Sequence, residues 1–295
     1  MTTSISRTSS ADRPACASVA EDPIAQDPIA QDPIAQDRMT SPVFASGLLA
    51  GSARYLVTAR WGGRSVAPFD TLNLADGVGD LAGAVRENRR IAATAVGVEP
   101  TRLALTGSVH GAQVAHVQSA GIAAGCDAIV TTEPGLALAA LAADCVPVGL
   151  ADAQRGVVSA VHCGWRGLVA GVVGATVQRM RSMGAEAVIA VVGPSICPRC
   201  YPVPAERVAQ VRAGVSSAVF AAACPTTADE GASTGAPRID VASGVRQQLI
   251  EAGVAVEVQV SGCTMESDAL FSYRRDHQTG RHGLLIALGA TPDVG

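Results

Sequence analysis

The chain contains no lysine, because all 22 of its basic residues are arginine. A Schiff-base lysine and a Walker-type phosphate loop both need that amine, so both are excluded. Aromatic residues make up only 3% of the chain and its net charge is −4. Few stacking platforms and no global positive field are therefore available, and we expect no nucleic-acid partner.

Long apolar runs are also missing. The first twenty residues lack the continuous apolar stretch of a signal peptide, and the apolar region 134–151 is interrupted by Asp144. We expect neither export nor a membrane partner. Eight cysteines are few for a chain of 295 residues. This low density favours reduced or metal-bound thiols, so the sequence predicts a cytoplasmic protein.

Most of the chain has the composition of a globular protein, with 48% hydrophobic and 16% charged residues. The start differs. DPIAQ occurs three times between Asp22 and Gln36, and its regular prolines predict a disordered tail over residues 1–41. Residues 42–295 contain no linker, and we interpret them as one α/β domain.

Short valine-rich runs follow one another closely in this domain. Strands joined by short turns predict antiparallel or mixed sheets rather than a doubly wound parallel sheet. Helices are predicted at residues 83–96, 168–183, 204–213 and 241–252, with a loop at 224–237. Strands are predicted at residues 54–60, 114–117, 127–131, 136–142, 146–151, 157–162, 187–192, 254–260 and 283–288.

Three candidate metal ligands, His110, Cys145 and His162, stand at the ends of predicted strands. A thiolate and two imidazoles suit zinc, and three protein ligands leave a fourth position open, as in catalytic zinc sites. The ligands are 35 and 17 residues apart, so no short metal motif supports the group. From these residues alone, two core histidines and a buried cysteine are the favoured interpretation.

The sequence CPRC places Cys197 and Cys200 in a CxxC pair. A structural zinc site needs two more ligands, and Cys224 and Cys263 are distant in the sequence. The surrounding prolines do not match a thioredoxin-like helix start. We interpret the pair as inert turn cysteines.

Candidate substrate-binding residues lie in three other segments. Arg166 in GWRG follows a predicted strand and precedes a helix, which is typical of a phosphate or carboxylate cradle but also of a tight turn. In FSYRRD, Arg274 and Arg275 are adjacent, and on a strand only one of them can face a given pocket. Asn73 offers an amide suited to a nucleobase or a sugar hydroxyl.

Six motifs in order resemble the laccase-domain family: LNLADGVGD, VHGAQV, DAIVTTEPGLALAALAADCVPVGLAD, VHCGWRGLVAGVV, VVGPSICPRCY and FSYRRDHQTGR. Members of that family have been called multicopper polyphenol oxidases, peptidoglycan editing factors and zinc-dependent purine nucleoside phosphorylases. The resemblance covers residues 45–290. It implies a single-domain α-β-β-α layered sandwich with mixed sheets, and it places the three metal ligands on His110, Cys145 and His162.

The chain departs from the family pattern at four places. Ser108 replaces a common glutamine, Ala142 a threonine, and Cys163 the alanine of the usual HAGW sequence. The asparagine usual before the RQQL helix is also replaced, within VASGVRQQL. None of these changes removes a ligand, so the resemblance still implies the metal site.

The function implied by the resemblance is zinc-dependent phosphorolysis of purine nucleosides, adenosine and inosine among them. Adenosine deamination and methylthioadenosine phosphorolysis are associated activities. The partners are then purine nucleosides and phosphate, in a monomer or homodimer. Arg166 and Arg274 or Arg275 are expected to bind phosphate, and Asn73 to contact the base or the ribose.

Three alternatives stay open. Copper-dependent polyphenol oxidation fits a site of two histidines and a cysteine, but five histidines in the whole chain are few for a copper cluster that reduces oxygen. Cys145 as a nucleophile with His162 as its base would make a metal-free cysteine hydrolase. The domain could instead bind a cell-wall or division protein without catalysis.

Overall fold

The computed structural model describes residues 40–224 and 235–289. Nearly all of the predicted tail and most of the predicted loop at 224–237 lie outside these ranges. The helices of the described chain are α1 (Ala82–Val96), α2 (Trp165–Ala170), α3 (Val172–Ser182), α4 (Ala205–Gly214), α5 (Ser217–Ala223), α6 (Val241–Glu251) and α7 (Tyr273–Asp276). Its strands are β1 (Val43–Leu49), β2 (Ala53–Thr58), β3 (Leu103–Thr106), β4 (Val114–His116), β5 (Gly121–Ala123), β6 (Ala128–Thr131), β7 (Ala137–Ala142), β8 (Val146–Asp152), β9 (Val157–Cys163), β10 (Ile189–Val192), β11 (Ala255–Gln259) and β12 (His282–Ala287).

The strands form two six-stranded sheets, and both are mixed. The first has the order β1-β2-β12-β7-β3-β5, with parallel pairing only between β7 and β3 and between β3 and β5 among the described strands. The second has the order β11-β10-β8-β9-β6-β4, and its central strands β10, β8, β9 and β6 pair antiparallel. The prediction of antiparallel or mixed pairing is confirmed.

Alternation along the strands sorts side chains into three apolar layers. On β12, Leu284 and Ile286 pack between the two sheets, whereas Leu285 faces the layer that contains α1. On β8, Val148 and Leu150 pack in the opposite outer layer, which includes residues of α2 to α6. Helices thus cover both outer sheet faces, and the predicted α-β-β-α layered sandwich is confirmed.

One helix prediction and one strand interpretation need correction. The helix predicted at residues 168–183 begins earlier, at Trp165, and is split into α2 and α3 at Gly171. Gly171 has φ +77°, a conformation that ends a helix and that glycine adopts without steric cost. FSYRRD is not a strand, because Tyr273–Asp276 forms the short helix α7, capped by the Ser272 hydroxyl.

The strands β1, β3 and β5 and the helix α5 were not predicted from the sequence. The helix α1, by contrast, ends as predicted at Gly97, whose φ is +83°. Among the described helices, none combines the length and the apolar character that a membrane crossing requires.

Candidate metal centre and active site

The three predicted metal ligands converge at one end of the second sheet. Cys145 directly precedes β8, and His162 is the penultimate residue of β9, its antiparallel neighbour. His110 lies in the turn after β3. Its Nε2 is 3.7 Å from the Cys145 Sγ, and the two imidazole rings meet edge to face at 4.9 Å. One potential ligand atom from each residue lies within 4.8 Å of the others.

A fully buried carboxylate, Asp127, supports both histidines. Its Oδ1 is 2.9 Å from the Nδ1 of His162 and also accepts the His110 backbone N–H at 2.7 Å. Its Oδ2 accepts the Gly111 N–H at 2.6 Å. Donation from Nδ1 to this carboxylate leaves the His162 Nε2 free as a ligand atom, the usual second-sphere arrangement of a metal-bound histidine.

Gly164 gives the site its close packing. A Cβ at this position would lie 2.9 Å from the Cys145 Sγ and 3.0 Å from the His110 Cδ2. Any side chain would therefore push the candidate ligands apart. The requirement for glycine comes from this contact, since the Gly164 backbone is extended, with φ −89°.

Within the group, Cys145 and His162 shift each other's pKa. Burial raises the pKa of the Cys145 thiol, but the two nearby imidazoles outweigh it and lower that pKa to about 6. Burial lowers the pKa of His162, but the Cys145 thiolate and Asp127 raise it to about 9. Without a metal, the pair is a thiolate and an imidazolium at neutral pH.

Asp144, the residue before Cys145, lies outside β8, which begins only at Val146. Asp144 has φ +98°, and its Oδ1 accepts hydrogen bonds from the hydroxyls of Thr264 and Ser272, each at 2.7 Å. Its Oδ2 accepts the Arg274 backbone N–H at 2.7 Å. Asp144 therefore anchors the segment that carries α7, and its carboxylate is occupied away from the ligand group.

The ligand group opens into a cavity of about 580 Å³. This volume lies within the range of small-molecule sites. Its lining combines apolar side chains with rings and guanidinium groups. Prominent among them are Leu105, Ile122, Leu141, Trp165, Tyr201, Tyr273, Arg166, Arg274 and Arg281.

Four arginines line this cavity, of which Arg89 is paired with Asp76 at 2.9 Å. The other three come from different elements and have no carboxylate partner among the described residues. Arg166 lies 4.6 Å over the ring of Trp165 and has no hydrogen-bonding side chain or carbonyl among the described residues. Arg274 lies 5.0 Å over Tyr201. Arg281 is held by the carbonyls of Thr279 and Gly280, at 2.8 and 2.9 Å. Three cations around one cavity favour an anionic ligand.

Arg275 is a structural residue. Its guanidinium donates to the carbonyls of Thr264, Ser267 and Leu270 at 2.9 to 3.0 Å and also contacts Asp276. Of the two adjacent arginines, only Arg274 lines the cavity. As expected, only one of the two arginines faces the cavity. They lie on the short helix α7, however, and not on a strand.

Asn73 is not in the cavity lining, which corrects the expectation that it contacts a base or ribose. Its side chain is fully buried, bonds to Ala75 and Asp80, and accepts the Arg281 backbone N–H at 2.9 Å. It therefore holds the Arg281 backbone from outside the cavity lining.

Asp127 and Arg281 were not predicted from the sequence as site residues. A charged residue at the edge of the apolar strand DAIVT was the one available signal for Asp127.

The two cysteines of CPRC, interpreted from the sequence as inert turn cysteines, have further potential ligands beside them in the fold. The fold brings Cys263 and Glu266 to Cys197 and Cys200, so that one potential ligand atom from each lies within 4.8 Å of the others. Cys224 is not a member of this group, which lies outside the cavity described above.

Comparison with known proteins gives consistent matches over the folded part of the chain. The sequence model described as multi-copper polyphenol oxidoreductase laccase matches residues 54–289. A Streptomyces coelicolor protein named purine nucleoside phosphorylase is 47% identical over 234 residues, covering 78% of this chain and 93% of that protein. A Mycobacterium tuberculosis protein of the same name is 40% identical over 238 residues, covering 79% and 91%.

Solved structures match the fold. The Bacillus licheniformis hypothetical protein YfiH superposes with a TM-score of 0.72 at 28% identity, over 82% of this chain and 98% of that one. YlmD from Geobacillus stearothermophilus gives a TM-score of 0.69 at 28% identity, over 84% and 99%.

Proposed function

The chain belongs to the multi-copper polyphenol oxidoreductase laccase family, and from that premise we propose that it is a zinc-dependent purine nucleoside phosphorylase. Its substrates are then adenosine, inosine and phosphate, and its products are the free base and ribose 1-phosphate. The names of its relatives support phosphorolysis. Adenosine deamination and methylthioadenosine phosphorolysis belong to the same proposal as associated activities.

The observation that carries the proposal is the shared cavity of a metal-binding group and three arginines. Phosphorolysis needs a site for an anionic nucleophile next to a site for an uncharged nucleoside. Arg166, Arg274 and Arg281 supply the cationic side, and Leu105 with Ile122 supplies an apolar side in the same cavity. An oxidase of neutral phenols has no need for three guanidinium groups.

The residues fit a bound zinc ion. His110, Cys145 and His162 offer a mixed nitrogen and sulfur donor set, with Asp127 orienting one ring and Gly164 leaving room for close approach. Zinc in this group supplies Lewis-acid stabilisation of negative charge. The other three histidines of the described chain, His116, His277 and His282, belong to neither candidate ligand group. This argues against a copper cluster.

In the proposed reaction the arginines bind and orient phosphate. One phosphate oxygen forms a bond to C1′ of the ribose, the bond from C1′ to the purine nitrogen breaks, and the base leaves with the bonding pair. Charge-assisted hydrogen bonds from Arg166, Arg274 and Arg281 would hold the phosphate in line for this displacement. The rings of Tyr201 and Tyr273 border the same space and could flank the base.

A second candidate function, hydrolysis by a thiol nucleophile, is favoured by one observation. Cys145, His162 and Asp127 form a chain of contacts like that of a cysteine hydrolase, and the Cys145 pKa of about 6 would keep the thiolate available. This mechanism needs neither metal nor phosphate.

The deciding experiment incubates the purified protein with inosine or adenosine, with and without phosphate, and separates the products by chromatography. We expect phosphate-dependent release of base, loss of activity with a chelator, and restoration by zinc. Cys145→Ala should abolish turnover and lower the zinc content, whereas Cys163→Ala, which restores the usual family residue beside His162, should leave both unchanged.

Other outcomes would contradict the proposal. Chelator-resistant activity that iodoacetamide destroys would assign the thiol mechanism. A zinc-loaded protein that converts no nucleoside would point to the non-catalytic, binding role.

A further inference from the structure

Outside the cavity, two short turns place three cysteines and a glutamate together. The first turn is Cys197 to Cys200, in which the Cys200 N–H donates to the Cys197 carbonyl at 3.0 Å. The second is Cys263 to Glu266, in which the Glu266 N–H donates to the Cys263 carbonyl at 3.2 Å. Each turn therefore carries two potential ligands with two residues between them, the spacing found in structural zinc sites.

Backbone contacts hold the two turns side by side. Ser195 and Cys263 form a parallel bridge, and the Thr264 N–H donates to the Ser195 carbonyl at 3.2 Å. The Cys197 N–H points at the Cys263 Sγ at 3.3 Å. N–H groups directed at a sulfur stabilise its thiolate form.

The distances suit one small ion. Zinc–sulfur bonds of about 2.3 Å and zinc–oxygen bonds of about 2.1 Å at a tetrahedral angle put sulfur and oxygen about 3.6 Å apart. The Glu266 Oε1 lies 3.8 Å from the Cys197 Sγ and 3.3 Å from the Cys200 Sγ. The whole group spans no more than 4.8 Å between ligand atoms, so small side-chain rotations would close it.

Neighbouring groups act differently on the three thiols. Burial raises the pKa of Cys197 and of Cys200. Burial raises the pKa of Cys263, but N–H groups of the backbone, from Cys197 and Glu266 among others, outweigh it and lower that pKa. Arg199 lies within the first turn and contacts both Glu266 oxygens, at 3.2 and 3.4 Å. Its guanidinium would offset part of the negative charge that three thiolates and a carboxylate leave on a divalent ion.

We propose that Cys197, Cys200, Cys263 and Glu266 form a second zinc site, which is structural rather than catalytic. Four protein ligands complete a tetrahedron and leave no open position for a substrate. Binding converts three thiols to thiolates, so each zinc ion taken up by the neutral-thiol form releases three protons, and the carboxylate binds as the anion.

The position of the site gives it a role. The first turn follows β10 and is flanked by Ile196 and Tyr201, both of which line the cavity. The second turn leads to Tyr273 and Arg274, which line it as well. An ion bound by both turns would fix the two sides of the cavity relative to each other. This role does not depend on which reaction the cavity carries out.

The test is the zinc content of protein purified under reducing conditions, measured by mass spectrometry of the metal. We expect two equivalents per chain in the wild type and one fewer in Cys200→Ser, with the Cys145→Ala variant losing the other. Cys126→Ser removes a partly buried thiol that is in neither group, and it should retain both. An unchanged zinc content in Cys200→Ser would overturn the proposal.

A second measurement covers the case in which Cys200→Ser does not fold. The Cys145→Ala protein, reloaded with Co²⁺, should show the ultraviolet charge-transfer band of several cobalt–thiolate bonds and the visible bands of tetrahedral cobalt. Absence of both would overturn the proposal. So would a mass two units low in the unreduced wild type with no bound metal, because a disulfide would then occupy the thiols.

Discussion

The Oδ1 of Asp127 lies 2.9 Å from the Nδ1 of His162, and neither side chain is appreciably exposed to solvent. The same oxygen accepts the backbone N–H of His110. One carboxylate therefore sets the orientation of one candidate ligand and the backbone of another. Four consequences of the site and one of the wider fold can be measured.

Asp127→Asn should weaken zinc binding by about 10- to 100-fold, because the His162 ring loses the acceptor that selects its tautomer. Asp152→Asn is the matched control. Asp152 is also buried and accepts backbone N–H groups of Glu186 and Ala187, at 2.7 and 2.8 Å, at the end of β8 opposite to Cys145. Both variants should lose stability, but only the first should lose zinc affinity in a competition titration with a chelator. Equal zinc affinity in the two would contradict this role.

Gly164→Ala should reduce zinc occupancy and turnover, because the added Cβ would lie 2.9 Å from the Cys145 Sγ. Gly174→Ala serves as the control, since a Cβ there meets nothing within 4 Å and the residue lies in α3. That control should keep full activity and gain up to about 1 kcal/mol of stability from helix propensity. Metal analysis and thermal melts separate the two effects.

Arg166→Gln should raise the KM for phosphate by about 10- to 100-fold, the loss expected for a charge-assisted hydrogen bond. Arg207 packs on the same Trp165 ring, at 5.1 Å, but does not line the cavity. Arg207→Gln should therefore change the phosphate KM little. Initial rates at varied phosphate test this, and adenosine deamination in the absence of phosphate should suffer less from Arg166→Gln. Equal loss of both activities would instead assign Arg166 to the fold or to the nucleoside.

Zinc binding to the catalytic group should release about one proton at neutral pH. In the metal-free pair the Cys145 thiol is ionised above its pKa of about 6, whereas His162 stays protonated below its pKa of about 9. A ligand histidine must be neutral, so zinc displaces its proton between these two values, and the release should vanish above the upper one. Calorimetry of Cys200→Ser in buffers of different ionisation enthalpy counts the protons of this group alone.

His282 should make the fold sensitive to acid. It is fully buried, neither ring nitrogen has a partner in the described chain, and burial together with Arg281 lowers its pKa from 6.5 to about 3. Because the unfolded chain then binds the proton more tightly, the stability present above pH 6.5 declines as the pH falls. The loss is about 2 kcal/mol by about pH 5.

His282→Leu should remove most of this pH dependence in denaturant titrations. The exposed His116 provides a control, and His116→Gln should keep the wild-type slope. A wild-type slope in His282→Leu would show that other groups cause the acid sensitivity.

The layered sandwich was predictable in outline because it depends on local patterns. Closely spaced valine-rich strands favour mixed sheets, and Gly97 ends α1 where the helical periodicity stops. Gly171 was harder to interpret. Its left-handed backbone divides a periodic segment into two helices, and periodicity alone cannot distinguish a tolerated glycine from a break.

The residue types at the catalytic group were also apparent from the sequence, since two histidines and a cysteine at strand ends suit a metal and match the family motifs. The residue that holds these ligands in place, Asp127, was not apparent from the sequence. Asp127 acts on residues 17 and 35 positions away. Its contact with His162 follows from the packing of β6 beside β9, and its contact with His110 from the packing of β4 beside β6.

The sequence by itself determined which side chains are available: one set of zinc donors, arginine as the sole strong cation, and a CxxC pair. Only the tertiary structure decided how they group. It turned Arg275 toward backbone carbonyls and Arg274 toward the cavity, and it placed Asn73 behind Arg281 instead of beside a ligand. It also brought Cys263 to a pair of cysteines 63 and 66 residues earlier. These positions depend on the packing of buried strands that are distant in sequence. Local sequence preferences therefore cannot predict which distant turns lie side by side.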